Sequence, residues 1–289
     1  MKMILALLAL ALFQGGEQVE NRNPPLEEMI RMRVVLELPG MDAVNVRRDR
    51  AYKTADGQPL NMDVYSPPGP ARPRPAVILI HGGPIPRTGA KNMGVFVSYG
   101  ELLAASGLIA ITFDHRFLAA GRITDAAGDV ADLLAHVRKS AGSLGVDADR
   151  LALWAFSGGG PFLAASLRER PKWLRAIIAY YAVLDLQQPT PGDDSGISTE
   201  LRRTFSAVDA LGQSARSAPP MLVARAGLDN PWLNGTIDRF IEKGLNGGAA
   251  LDVLNHPDGR HSFDILDNDV RSKQIIRRTV EFLRDNLAA

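Results

Sequence analysis

LALWAFSGGGP, residues 151–161, runs an apolar strand directly into a serine flanked by small residues. A sharp strand-to-helix turn that lifts a serine Oγ clear of a sheet leaves room only for small neighbours, and Ala155 and Gly159 occupy those two places. The segment reads as a nucleophile elbow with Ser157 as candidate nucleophile. The Gly158 N–H, at the start of the following helix, is then a donor for an oxyanion. A plain glycine-rich strand end is the competing reading of the same residues. The usual G-x-S-x-G spelling is altered: Ala155 stands at the first glycine, and Phe156 has to point into the core or into a pocket. No G-K-[ST] follows the glycines, so nothing is placed to meet a nucleotide's terminal phosphates.

Working outward, residues 44–53 and 60–65 carry strand-forming residues around an Ala-Asp-Gly turn and predict a hairpin. Continuous apolar runs at 76–80, 108–113, 151–155, 176–181 and 221–224 suit strands buried on both faces, and a last strand is expected over 249–254. Helix-patterned segments lie between and after them, at 96–106, 124–141, 162–170, 232–243 and 267–286. Alternating buried strands and helices predict an α/β fold, with a mostly parallel central sheet and helices on both faces. Ligands of such sheets bind beyond the carboxyl ends of the strands. His81 to Gly83, Asp114 to Arg116, Ser157, Asp185 and Asp229 all fall at such ends, and His256 and His261 follow the last strand.

The 289 residues are enough for one large catalytic domain, expected over 43–289 after an extension at 17–42. Lys plus Arg number 33 against 32 Asp plus Glu, a balance that gives no case for nucleic acid as a partner. The absence of cysteine excludes disulfides, a thiol nucleophile and thiolate metal sites. Residues 1–16, MKMILALLALALFQGG, place Lys2 before an apolar run and then small and polar residues, the layout of a cleaved signal peptide. The apolar run is too short for a stable membrane span, so the expected location is secreted or periplasmic.

A serine hydroxyl needs a base to take its proton. Of the five histidines, His136 lies within a helix pattern, His115 precedes the serine, and His81 shapes a paired-glycine loop. His261, in Gly-Arg-His-Ser-Phe, is preferred over His256 by the chain order serine, acid, histidine. The same order selects Asp229, in MLVARAGLDNPW, over Asp185 as the carboxylate that orients the imidazole. The alternative role for Asp229 is the N-cap of the helix that Pro231 opens.

NMDVYSP, VILIHGGP, LGVDADRLALWAFSGGG after the helix containing Asp129, RAGLDNP and GRHSFD together resemble the α/β-hydrolase superfamily, close to its serine esterase and dienelactone-hydrolase branches. The resemblance covers nearly everything after the leader. It implies that the HGG loop supplies an oxyanion donor from the N–H of Gly82 or Gly83, opposite Gly158. Dienelactone hydrolases usually carry a cysteine nucleophile, and its absence here favours the serine esterase branch. The function so implied is cleavage of a small-molecule carboxylic ester through an acyl-enzyme, with no metal and no cofactor. A lactone or thioester hydrolase, a small peptidase on the same fold, and a non-catalytic ligand-binding module are the alternatives. Residues 186–219 are expected to form a small cap at most, as loop plus one short helix. Ile85, Phe156, Tyr181 and Trp232 are the candidate pocket residues, with core packing as the other role for each.

Overall fold

The computed structural model describes residues 24–70, 72–85, 89–188, 195–212 and 215–288; the leader expected at 1–16 lies outside them. Eight strands form one sheet: β1 (Asn45–Ala55), β2 (Gln58–Ser66), β3 (Arg74–Ile80), β4 (Ile109–Phe113), β5 (Val146–Phe156), β6 (Leu174–Tyr180), β7 (Met221–Ala226) and β8 (Leu251–His256). Their order across the sheet is β1-β2-β4-β3-β5-β6-β7-β8. Pairing is parallel from β4 through β8, and β2 runs antiparallel to both β1 and β4. The β1–β2 hairpin turns at Asp56 and Gly57, with φ of 51° and 73°, the paired left-handed conformations of a type I′ turn.

Alternation along the strands divides the apolar residues between two cores. Ile78, Ile80, Leu151, Leu153 and Ala155 face the layer formed by α3 (Ile123–Lys139), α5 (Ala164–Glu169) and α8 (Pro231–Asn246). Val77, Leu79, Ala152, Trp154 and Phe156 face α2 (Gly94–Ala105) and α10 (Val270–Leu287). Each buried aliphatic or phenyl side chain contributes roughly 1.5–3 kcal/mol, so both faces of the sheet are locked in register.

Three departures from the sequence reading have local causes. β5 starts at Val146 rather than 151, because its early residues pair with Arg74 ahead of a register irregularity. The residues after the elbow wind first as a 3₁₀ segment, Ser157–Leu163, before α5, with Pro161 inside it and its glycines packed against β3 and residue 183. Among the described residues between β6 and β7 there are two short helices, α6 (Thr199–Thr204) and α7 (Ala207–Ala210), rather than one; both are capped by serines, Ser198 and Ser206, whose side chains accept backbone N–H groups.

The segment before β1 packs as part of the domain. After α1 (Leu26–Met29), the Ile30 carbonyl accepts from the Gly94 N–H at 2.8 Å, and the Val34 N–H donates to Ser98 Oγ at 2.9 Å. The Val35 N–H donates to the Asp264 carbonyl at 2.8 Å, and Val34, Leu36 and Met41 join the second core. Among the described residues no helix is long and apolar enough to cross a membrane.

Candidate active site

Strands β3, β5, β7 and β8 end on one edge of the sheet and deliver the site. Ser157 follows the last residue of β5 with φ 50°, the left-handed region that costs a non-glycine residue about 1–3 kcal/mol. The turn is over-determined: Phe156 is anchored in the core, and the Ser157 carbonyl accepts the Val183 N–H at 2.9 Å. The loop after β3 lies against it. A Cβ on Gly82 would stand 2.8 Å from Ser157 Cβ, and one on Gly158 would stand 2.1 Å from the Gly83 carbonyl oxygen. Only glycine allows the two backbones to approach this closely. The Gly82 and Gly83 N–H groups make no hydrogen bond among the described residues.

His261 and Asp229 meet the serine from the loops after β8 and β7. His261 Nε2 lies 3.0 Å from Ser157 Oγ, and His261 Nδ1 lies 2.6 Å from Asp229 Oδ2. A carboxylate can only accept, so Nδ1 carries the proton and Nε2 is left as an acceptor for the serine hydroxyl. Asp229 Oδ1 accepts the Asn230 N–H at 2.7 Å, which fixes the carboxylate plane. The cap of α8 is Asn230, whose side chain accepts the Trp232 N–H, so Asp229 faces the imidazole rather than the helix. The Asp229 side chain is 6% exposed and that of His261 18%, so the pair is screened from water while the imidazole edge stays reachable.

Behind the imidazole stands a frame that the sequence reading missed. The Tyr181 ring lies 4.7 Å from the His261 ring, and its hydroxyl donates to Asp264 Oδ1 at 2.7 Å. Tyr99 donates to the other oxygen at 2.9 Å. Asp264 is fully buried, and that burial pushes its carboxyl up to about 6, against the two tyrosine donors and His261, which favour its charged form. Because the folded state binds this proton more tightly than the unfolded chain, Asp264 favours folding most below about pH 4, and that contribution is gone above about pH 6. Relative to Asp264→Asn, the parent protein is expected to lose on the order of 2–3 kcal/mol between pH 4 and pH 7. Urea unfolding of both proteins across that range measures it, and parallel pH profiles would remove the assignment.

The candidate pocket residues divide. Phe156 is not a pocket residue: it is 3% exposed and packs against Trp154, Phe96 and Tyr99, because its parity on β5 turns it toward α2. Tyr181 is likewise closed off at 3% exposure, its hydroxyl spent on Asp264 and its ring on His261. Ile85 and Trp232 are half-buried; the Ile85 N–H donates to the Phe117 carbonyl, and the Trp232 indole N–H donates to the Gln188 carbonyl at 2.7 Å. Asp185 does not reach the histidine. Its oxygens accept from Gln187 N–H, Ser206 Oγ and Arg239 Nε, which ties the short cap helices to α8. His256 Nε2 sits 3.1 Å from both Asp269 Oδ2 and Ser272 Oγ, at the start of α10. Among the described residues no group of three or more His, Asp or Glu could hold a metal ion.

A family model described as BD-FAE matches residues 62–191. The probable isoprenylcysteine alpha-carbonyl methylesterase ICME of Oryza sativa subsp. japonica is 32% identical over 228 residues, covering 78% of this chain; the chain spans 45% of that relative's length. The native Est2 esterase of Thermogutta terrifontis superposes with a TM-score of 0.68 at 21% identity, covering 86% of this chain and 94% of its own. The same esterase is known with propionate bound, with butyrate bound and phosphorylated by paraoxon. A truncated carbohydrate esterase from gut microbiota superposes with a TM-score of 0.69 at 17% identity, covering 85% and 97% of the two chains. With its sheet order, its elbow and these likenesses taken together, the chain has the α/β-hydrolase fold, and the proteins it is similar to include esterases.

Proposed function

We propose that the chain hydrolyses small carboxylic esters through an acyl-enzyme formed on Ser157. His261 Nε2 takes the hydroxyl proton as Oγ attacks the ester carbonyl, and Asp229 stabilises the imidazolium that results. The N–H groups of Gly158 and of Gly82 or Gly83 receive the oxyanion. His261 then hands its proton to the departing alcohol, and a water deprotonated at the same nitrogen releases the acid. The observation that carries this reading is the continuous relay of 3.0 Å and 2.6 Å from a left-handed serine to a buried carboxylate. A binding module has no need of a strained serine aligned with a fixed base.

A short acyl group is part of the proposal. The elbow and the HGG loop are in backbone contact, Phe156 and Tyr181 are withdrawn into the core, and the structurally similar Thermogutta esterase accommodates propionate and butyrate. Initial rates on p-nitrophenyl esters from two to twelve acyl carbons test it. The expected result is a burst of p-nitrophenol equal to the enzyme concentration, with kcat/KM greatest at the short end. No turnover of any ester by folded protein would end the reading. Export is proposed from the leader at residues 1–16, and N-terminal sequencing of the mature protein from culture medium or periplasm checks it.

A further inference from the structure

His81 and His115 follow the ends of the neighbouring parallel strands β3 and β4, where Leu79 pairs with Thr112. Their rings stack with centroids 3.5 Å apart and planes 6° from parallel. Both are buried, and the pair is enclosed by Phe96, Phe113 and Phe162, at 6.1, 5.5 and 5.3 Å from the nearer ring. Burial pushes His81 down to about 4 and His115 well below the ordinary imidazole range, so both are neutral and each has one N–H to give.

Where those two protons go is decided by the acceptors. His81 Nδ1 lies 2.7 Å from the Gly82 carbonyl oxygen, and His115 Nε2 lies 3.2 Å from the His81 carbonyl oxygen. Carbonyls only accept, so His81 carries its proton on Nδ1 and His115 on Nε2. The remaining nitrogen of His115 then accepts the Phe117 N–H at 3.4 Å, consistent with that tautomer. His81 Nε2 has no partner among the described residues, so that ring is held by its stack and its single donated bond.

The two carbonyls belong to the peptide units whose N–H groups are those of Gly82 and Gly83. The cis bond of this loop comes after them, at Gly83–Pro84, so both units are trans. In a trans unit the N–H points opposite to the C=O. Holding the His81 carbonyl toward His115, and the Gly82 carbonyl toward His81, therefore turns the Gly82 and Gly83 N–H groups away from the histidines. Among the described residues neither N–H has a partner, and a Cβ on Gly82 would stand 2.8 Å from Ser157 Cβ.

We infer that the stacked pair His81–His115 is a positioning device that sets the orientation of two peptide units and so aims the oxyanion donors at the acyl group on Ser157. The inference rests on the proposed esterase reading and adds to it two residues that touch neither substrate nor nucleophile. Glutamine places an N–H donor where His Nε2 stands, and asparagine places one where His Nδ1 stands. His115→Gln and His81→Asn should therefore keep kcat/KM for p-nitrophenyl acetate within about 3-fold, whereas His115→Asn, His115→Phe and His81→Gln should lose about 10- to 100-fold, mostly in kcat. The affinity of a trifluoromethyl ketone, which becomes an oxyanion adduct on the serine, should fall in step with kcat/KM. All variants are first compared by thermal melting and circular dichroism, and the Gln against Asn contrast at each position decides the matter even where phenylalanine does not fold. Equal losses for Gln and Asn, or a folded His115→Phe with parental ketone affinity, would overturn the inference. Should Ser157→Ala retain full activity, the esterase reading itself fails; a dead Ser157→Ala beside undamaged histidine variants removes only the positioning role.

Discussion

Ser157→Ala is expected to reduce turnover of p-nitrophenyl acetate by roughly ten-thousand-fold or more, with the protein folded and its melting temperature held or raised. The size follows from what the side chain supplies. It is the atom that forms the acyl bond, and its removal leaves only the backbone donors and substrate binding, worth a small residual rate over water. The stability side follows from φ 50° at this position: the strain belongs to the backbone and remains, but a methyl replaces a partly buried hydroxyl that loses only its bond to His261. A nucleophile residue is thus expected to separate activity from stability. Steady-state kinetics and differential scanning calorimetry on one preparation measure both.

Asp229→Asn is expected to cost about ten-thousand-fold in kcat while leaving KM near its parental value. The substitution keeps the shape of the side chain, and the backbone N–H of Asn230 still has an oxygen to bond. What changes is the atom 2.6 Å from His261 Nδ1. An amide N–H turned toward the ring forces the imidazole into the tautomer with its proton on Nε2, which then donates toward Ser157 Oγ and cannot take its proton. The paired measurement is kcat for Asp229→Asn and Asp185→Asn. Asp185 is engaged by Ser206, Gln187 and Arg239 and makes no contact with His261, so its variant should show its effect in melting temperature and not approach the loss at Asp229. A small effect at Asp229 would remove the carboxylate from the mechanism.

The pattern of buried strands was legible because a parallel strand covered on both faces must be apolar along its whole length, and runs such as VILI and LALWAF are. β3 to β7 were readable for that reason, whereas β1 and β2 were read from strand-forming residues around an Ala-Asp-Gly turn. That Ser157, Asp229 and His261 would come together was legible through chain order at strand ends, and of the two acids it is Asp229 that lies against His261 while Asp185 is held by Gln187, Ser206 and Arg239. Three features were not legible, each for a physical reason. Asp264, Tyr99 and Tyr181 lie on different elements, and no spacing in a single sequence announces that two hydroxyls converge on one buried carboxylate. His81 was read alone as shaping its loop and His115 was set aside because it precedes the serine; their pairing depends on β3 and β4 being neighbours in the sheet, an order that the chain order does not state. Lys91 is 2% exposed, its charge met by Asp49 and Asp63 at 2.7 and 2.9 Å, partners that come from β1 and β2 and that no local spacing announces. Of the extension expected at 17–42, residues 34–41 pack into the second core through Val34, Leu36 and Met41.

Covalent labelling tests the central claim most directly. The folded protein is incubated with a fluorophosphonate, followed by intact mass and peptide mapping. One adduct per chain, on Ser157, forming quickly in the parent and far more slowly in Asp229→Asn, is the result expected of an activated serine. Folded parent protein that stays unlabelled, or that carries its adduct on another residue, would contradict the account.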